Sequence, residues 1–357
     1  MRECFRLARR GTGHVSPNPL VGAVLVRRGK VIASGYHHRF GAAHAEVDCL
    51  RRARGRSRGA TLYVNLEPCS HFGKTPPCTD AIVRCGVGRV VVGMKDPNPR
   101  IAGRGIRKLR SAGIEVSVGI LGDEARALNR VFATHISLGR PYVLLKIAQS
   151  ADGFISGGPR AGPWITSLSS RELVHRWRAE FDAVLVGAGT IHADNPRLTT
   201  RLVHGRDPDV VILDGTLSLS KGANVFSAGR ARRVIVCTTT RAVHQQPARA
   251  TALAAAGALV LAFDSKSHEV RLRTMLKRLY QLRIGSVMVE GGQRVFTQFL
   301  GTGPVDETSL FIAPRLLMNG TPSVEAGASV RRLFDARTLT LRPVGDDVLI
   351  NTIWGET

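Results

Sequence analysis

The chain has 357 residues, 43% of them hydrophobic and 22% charged, enough apolar material for real cores and too little bias for extended disorder. Single cores stop growing before this length, so two domains are expected. A net charge of +24, from 51 Lys and Arg against 27 Asp and Glu, raises a nucleic-acid partner. The distribution argues against one: basic residues recur throughout, as in "RRARGRSR", "RGIRKLR" and "RLRTMLKRLYQLR", with no basic arm interleaved with aromatics. Of the 51 cations 43 are arginine, a skew that fits codon bias better than a binding face, and attraction of small phosphorylated substrates is the expected use of the charge. The amino terminus lacks a signal-length apolar core and no apolar run approaches about 18 residues, so a cytoplasmic protein without a membrane span is expected. Six cysteines without framework spacing read as reduced thiols or metal ligands rather than disulfides.

In chain order, "VGAVLV" and "VIASGYHH" around "RRGK" predict a β-hairpin. "HAEVDCLRRAR" has helical spacing, "TLYVNL" reads as a strand, "CTDAIVRCG" as a short helix ending at Gly86, and "RVVVGM" as a strand. "GRGIRKLRSAG" is a helix stopped by Gly113, "EVSVGI" a strand, and "DEARALNRVFATHISLG" one last helix before a boundary at Gly139 to Pro141. A second alternating series follows, with strands "YVLLKIAQS", "AVLVGAG", "DVVILD", "RVIVCT", "ALVLAF", "SVMVEGG" and "TSLFIAP" and helices such as "SSRELVHRWRAEF" and "VRLRTMLKRLYQLR". The succession is α/β layered, in two different domains over residues 1–143 and 144–357 rather than a duplication.

Zinc takes nitrogen and thiolate ligands, and a catalytic zinc keeps three protein ligands and one open position. His44, Cys69 and Cys78 supply such a set, and His44-Ala45-Glu46 with Pro68-Cys69 follows the zinc-deaminase arrangement, in which the glutamate moves protons. The eight residues between Cys69 and Cys78 exceed the usual two. A loop bulging between a strand end at Cys69 and a helix beginning at Cys78 accommodates them, and that helix start favours a thiolate. His44 is expected to open its own helix, leaving Glu46 in the first turn.

The runs "PNPLVGAVLV", "GYHHRFGAAHAE", "EPCSHFGKTPPCTDAI" and "DPNPRIAGRG" resemble the amino-terminal domain of the bifunctional riboflavin-biosynthesis deaminase/reductases, whose own variant is this insertion between cysteines. The resemblance implies a cytidine-deaminase-like three-layer domain acting on a phosphoribosylamino-diaminopyrimidinone. Zn2+ would be held by His44, Cys69 and Cys78, with Glu46 as the proton carrier. Asn18 is implied to hold the pyrimidine, and His37, His71, Lys74, Thr75, Asp96 and Asn98 to contact base, ribose or phosphate.

In the second half, no G-x-G-x-x-G fingerprint opens a β-α unit, but glycine turns follow two strands, at Gly187-Ala188-Gly189-Thr190 and Glu290-Gly291-Gly292. With "LLKIAQSADGFIS", "WITS", "ADNPRLTTR" and "DETSLFIAPRLLMNG", these resemble the reductase domain of the same family, which implies a dihydrofolate-reductase-like α/β fold using NADPH. By that resemblance Lys146 and Glu290 are catalytic, positioning or protonating the reacting centre. Trp164, Thr166, Arg178, Leu198 and Arg201 bind substrate, the two arginines by gripping its phosphate, and Ala148, Thr190, Asp194, Gly291 and Gly292 lie on the cofactor side. Ala151 and Ser167 depart from the family's usual residues beside the substrate strand. A homo-oligomer is implied as well. Two other readings stay open: a deaminase whose second domain only binds, and an RNA-editing deaminase suggested by the charge.

Overall fold

The computed structural model describes residues 1–157, 162, 164–227, 232–265, 267–328 and 336–354. The chain divides between Arg140 and Pro141 into two compact units.

The first unit opens with a helix that the sequence reading did not anticipate, α1 (Arg2–Ala8), followed by the expected hairpin of β1 (Gly22–Arg27) and β2 (Lys30–Tyr36). Then come α2 (Ala45–Arg52), β3 (Thr61–Leu66), α3 (Cys78–Arg84), β4 (Arg89–Met94), α4 (Arg104–Ser111), β5 (Glu115–Val118), α5 (Gly122–Leu128) and α6 (Arg130–Leu138). The sheet runs β2-β1-β3-β4-β5, antiparallel through β1 and parallel from β3 to β5. Alternation along β1 sends Ala23 and Leu25 into the main core with Cys49, Leu50 and Leu62, while Val24 faces Cys4 and Leu7 of α1. Helices thus cover both faces, the expected three layers.

The single helix expected from "DEARALNRVFATHISLG" is two, α5 and α6, parted at Asn129 (φ −104°, ψ 19°). The periodicity runs through the break, but the buried Asn129 side chain leaves the helical register to bond Leu20 from 109 positions away: Oδ1 accepts from its amide at 2.8 Å and Nδ2 donates to its carbonyl at 3.1 Å.

The second unit contains β6 (Tyr142–Ser150), β7 (Phe154–Ser156), α7 (Leu168–Glu180), β8 (Ala183–Gly187), α8 (Ala188–Asp194), β9 (Asp209–Leu213), β10 (Val234–Thr239), α9 (Thr240–Gln245), α10 (Pro247–Ala255) and β11 (Ala258–Phe263). It continues with α11 (Leu272–Gln281), β12 (Ser286–Gly291), α12 (Gln293–Thr302), β13 (Glu307–Ala313), β14 (Thr321–Pro322), β15 (Thr338–Val344) and β16 (Asp347–Ile353). Its main sheet runs β11-β10-β9-β8-β12-β6-β13-β16-β15, parallel as far as β13 and closed by the antiparallel pair β16 and β15, which the sequence reading missed. The parallel strands are buried on both faces, as "AVLVG" of β8 shows throughout its length. The middle of the sheet places the carboxyl ends of β8, β12 and β6 side by side, where open parallel sheets present a ligand crevice. Among the described residues no helix is long and apolar enough to cross a membrane.

Candidate functional site

Two helix starts meet the end of a strand in the first unit. His44 is the N-cap residue of α2 and Cys78 opens α3, as expected, while Cys69 lies three residues past the end of β3. His44 Nδ1 sits 3.2 Å from Cys78 Sγ and 3.5 Å from Cys69 Sγ, and the Cys78 amide donates to Cys69 Sγ at 3.3 Å. Among the described residues these three form the one group of metal-ligand type, with all ligand atoms within 4.8 Å of one another. Tetrahedral zinc with bonds of about 2.0 Å to nitrogen and 2.3 Å to sulfur separates its ligands by roughly 3.5 Å, so the donor set and its spacing fit the ion. Hydrogen bonding from Cys78, and then from His44 and the Cys78 amide, holds the Cys69 thiol far below its ordinary range, so a thiolate is ready for a cation.

Glu46 lies in the first turn of α2, 4% exposed. Burial, and then the charge of Cys69, pushes its carboxyl up to about 7, where it can both take and give a proton near neutral pH.

The other expected contacts separate into two groups. Asn18 and Thr75 are half-buried, His71 and Lys74 are exposed, and Lys74 Nζ stands 4.0 Å over the Phe40 ring. Asp96 and Asn98 share a loop in which Asp96 Oδ1 accepts from the Asn98 amide at 2.8 Å, and burial pushes the Asp96 carboxyl up. His71 and Asp96 line one cleft with Pro68, Cys69 and Ser70. His37 corrects the expectation of a direct substrate contact. It is 2% exposed and both ring nitrogens are engaged, Nδ1 with the Ala43 carbonyl and Nε2 with Asn18 Nδ2, each at 3.0 Å. Nδ1 donates to the carbonyl, so Nε2 accepts from the Asn18 amide and turns Asn18 Oδ1 away from it. His37 therefore stands behind Asn18 and orients it.

In the second unit Lys146 and Ala148 lie two apart on β6 and face the same side. Lys146 Nζ is 3.6 Å from Glu290 Oε2 at the end of β12. Arg178 on α7 departs from its expected role as a phosphate clamp. Its Nε and Nη2 bond both Glu290 oxygens at 2.6 and 2.7 Å, and Nη1 donates to the Thr199 carbonyl at 3.1 Å, so the fork is committed within the protein. Burial pushes the Glu290 carboxyl up, but Arg178 and Lys146 outweigh it and hold Glu290 at about 2, ionised at any working pH. Burial likewise pushes Lys146 down, with Glu290 opposing.

Arg201 remains exposed, where burial and the charges of Arg178 and Arg171 push its pKa down; a crowd of cations of this kind favours an anion. Its amide donates at 3.0 Å to Nδ1 of the buried His175, a residue that sequence reasoning missed. Burial, then Arg178 and Arg201, push His175 down to about 4, so the ring stays neutral and accepts that bond. Leu198 corrects its expected role as a substrate contact: it is 3% exposed, which buries its side chain, and its carbonyl is taken by Arg232 Nη1 at 2.9 Å. Trp164 is 49% exposed beneath the Arg171 guanidinium, and Thr166 is half-buried just before α7. The departure at Ser167 has a local cause: it is the N-cap residue of α7, its Oγ accepting from the Ser170 amide at 3.4 Å and donating to Asp347 at 2.8 Å.

The glycine turn expected after β8 is instead a direct entry into a helix: Gly187 is the N-cap residue of α8, which carries Thr190 and ends at the exposed Asp194. Thr190 faces the other glycine pair. A Cβ at Gly292 would meet Thr190 Oγ1 at 3.0 Å and one at Gly291 at 3.5 Å. Gly292 is the N-cap residue of α12, so bare backbone and a helix start lie together at the crevice, a fit to a dinucleotide phosphate.

Residues 141–350 match the model of the RibD C-terminal domain, and residues 1–94 match the cytidine and deoxycytidylate deaminase zinc-binding region. The riboflavin biosynthesis protein RibD of Aquifex aeolicus is 42% identical over 352 residues, 98% of this chain and 96% of that protein. The chain belongs to the RibD family. RibD of Escherichia coli is 36% identical over 99% of this chain and 98% of its own length. A solved RibD-type structure from Thermotoga maritima, a diaminohydroxyphosphoribosylaminopyrimidine deaminase/5-amino-6-(5-phosphoribosylamino)uracil reductase, superposes with a TM-score of 0.86 at 38% identity, covering 99% of this chain and 97% of that one. RibD of Acinetobacter baumannii gives 0.84 at 35%. The RibD fold is thus a cytidine-deaminase-like domain followed by a reductase domain of dihydrofolate-reductase type, and RibD enzymes depend on zinc and NADPH.

Proposed function

We propose that this chain removes the 2-amino group of 2,5-diamino-6-(5-phosphoribosylamino)pyrimidin-4-one by hydrolysis and then reduces the ribosyl side chain to ribityl, giving 5-amino-6-(5-phosphoribitylamino)uracil. Residues 1–143 carry the first step and 144–357 the second. The observation that supports this best is the gathering of His44, Cys69 and Cys78 around one ion-sized centre beside a carboxyl held at about 7.

Those three side chains would hold zinc, which would supply the Lewis acidity that brings a water's pKa to about 7. Glu46 takes a proton from the attacking water, gives it to the ring nitrogen and returns one to the departing ammonia, so water enters, ammonia leaves and a carbonyl replaces the amine. Asn18, oriented by His37, holds the pyrimidine edge. His71, Lys74, Thr75, Asp96 and Asn98 flank the rest of the substrate.

Ala148, Thr190, Asp194, Gly291 and Gly292 would hold NADPH, which would supply the hydride for the sugar's first carbon. Lys146 gives the adjacent heteroatom its proton, helped by the burial that lowers its pKa. Glu290 stays ionised and fixes Lys146 and Arg178 in place. Arg201 meets the phosphate, with Trp164 and Thr166 beside it.

The protein is read as a cytoplasmic homo-oligomer acting on a small phosphorylated pyrimidine rather than on nucleic acid, which its dispersed basic residues and the resemblance support. One assay tests the function. The diaminopyrimidinone substrate with NADPH should yield ammonia and oxidised cofactor in equal amounts. Ammonia without NADPH oxidation would leave the second unit a mere binder, and neither product would remove the assignment.

A further inference from the structure

Glu67, the residue before Pro68-Cys69, is 6% exposed, and its carboxylate faces no side-chain cation within ion-pair distance among the described residues. It is satisfied by backbone alone. The amides of Asp96 and Gly103 donate to Oε2 at 3.1 and 2.9 Å, and those of Gly105 and Ile106 donate to Oε1 at 2.9 and 3.2 Å. Gly103 is the N-cap residue of α4, and Gly105 and Ile106 lie in its first turn, which holds no acidic residue of its own. Glu67, just past the end of β3, therefore supplies the anion that the start of α4 lacks. The approach is close enough to demand glycine: a Cβ at Gly105 would stand 2.0 Å from the Pro68 carbonyl oxygen and 3.2 Å from Glu67 Oε1.

One carboxylate thus ties both ends of the loop from Asp96 to Gly103, and that loop walls the cleft shared with Cys69, Ser70 and His71. We propose that Glu67 is a positioning residue for deamination: by gripping four amides at once it fixes the Asp96 to Gly103 loop, with Asp96 and Asn98, against the Cys69 segment, and so sets substrate affinity. The backbone on the metal side is held by other bonds, with the Glu67 amide donating to the Met94 carbonyl at 3.0 Å and the Thr79 amide to the Cys69 carbonyl at 3.1 Å. Loosening the loop should leave the thiolate and imidazole set intact.

Glu67→Gln separates these roles. Each oxygen accepts two amides, so an NH2 at either position faces two donors whichever way the side chain turns, and two of the four bonds are lost. The prediction is a KM for the diaminopyrimidinone raised about tenfold or more with kcat within about threefold, in line with lost bonds to a charged group. Zinc stays at the wild-type content, NADPH oxidation with the deaminated substrate is unchanged, and amide exchange over 96–106 in the free protein speeds at least about tenfold. Wild-type KM and exchange would overturn the proposal, and so would loss of zinc together with kcat, which marks a support of the metal site. Should Glu67→Gln fail to fold, Glu67→Asp keeps the charge and shortens the reach; it must raise KM in the same direction, and a wild-type KM there overturns the proposal as well. The inference rests on the deaminase reading, which the wild-type control tests separately: no ammonia from the wild type removes both, whereas ammonia with an unaltered KM in the variant removes only the role of Glu67.

Discussion

Glu46 and Glu290 are the same side chain in two buried settings, and the surroundings divide their work. For Glu46, burial and the neighbouring thiolate dominate and place the carboxyl at about 7, the range for passing a proton. For Glu290, Arg178 and Lys146 overcome burial and fix it at about 2, a permanent anion. Glu46→Gln should therefore lower ammonia release by a factor of about 10² to 10⁴, the usual worth of a proton carrier, with zinc retained; zinc lost along with activity would make Glu46 a ligand instead. Glu290→Gln leaves Arg178 buried without its counter-charge, at a cost on the order of 3 kcal/mol. Read by calorimetry, melting of the second unit should fall by about 6 to 12 °C. The pH dependence has a defined sign. A carboxyl depressed on folding stabilises fully above its unfolded value of about 4.3, and that stability is lost as pH falls toward the folded value of about 2. The margin of wild type over Glu290→Gln should shrink across that window and be flat above it; a margin that grows as pH falls contradicts the ion pair.

At the scale of elements, the reading of the sequence succeeded where a period or a motif was local. His44 and Cys78 at helix starts and the alternating strands were legible because period, turn residues and the short His-Ala-Glu and Pro-Cys motifs each sit within a few positions. The break at Asn129 was not, because its partner Leu20 is 109 residues away and the helical period continues across it. Asn65 adds to the same clamp from β3, donating from Nδ2 to the Leu20 carbonyl at 2.8 Å while Oδ1 accepts from the Gly22 amide at 2.8 Å. These two buried amides hold the strip just beyond Asn18. Asn129→Ala should thus destabilise the first unit by about 1 to 3 kcal/mol and raise the deaminase KM, while NADPH oxidation with the deaminated substrate stays at the wild-type rate. A reductase falling in step would show a general failure to fold. Arg178 and His37 illustrate the same limit. Both stand at expected positions, yet each touches another protein group, Glu290 or Asn18, and no pattern in the chain reveals which side chain an arginine or a histidine will meet.

For the molecule as a whole, fold class and the two chemistries were readable from motifs, whereas β15 and β16 escaped. Their alternating "TLTLRPV" and "DVLINTI" lie at the far edge of a sheet whose other strands announce themselves as continuous apolar runs. Each unit has its own core, so the activities should be separable. The most direct measurement combines zinc content with both reactions. The purified protein should carry one zinc per chain, chelation should abolish ammonia release while NADPH oxidation with the deaminated substrate continues, and added zinc should restore the first reaction. Metal-free protein that releases ammonia at the full rate would contradict the account.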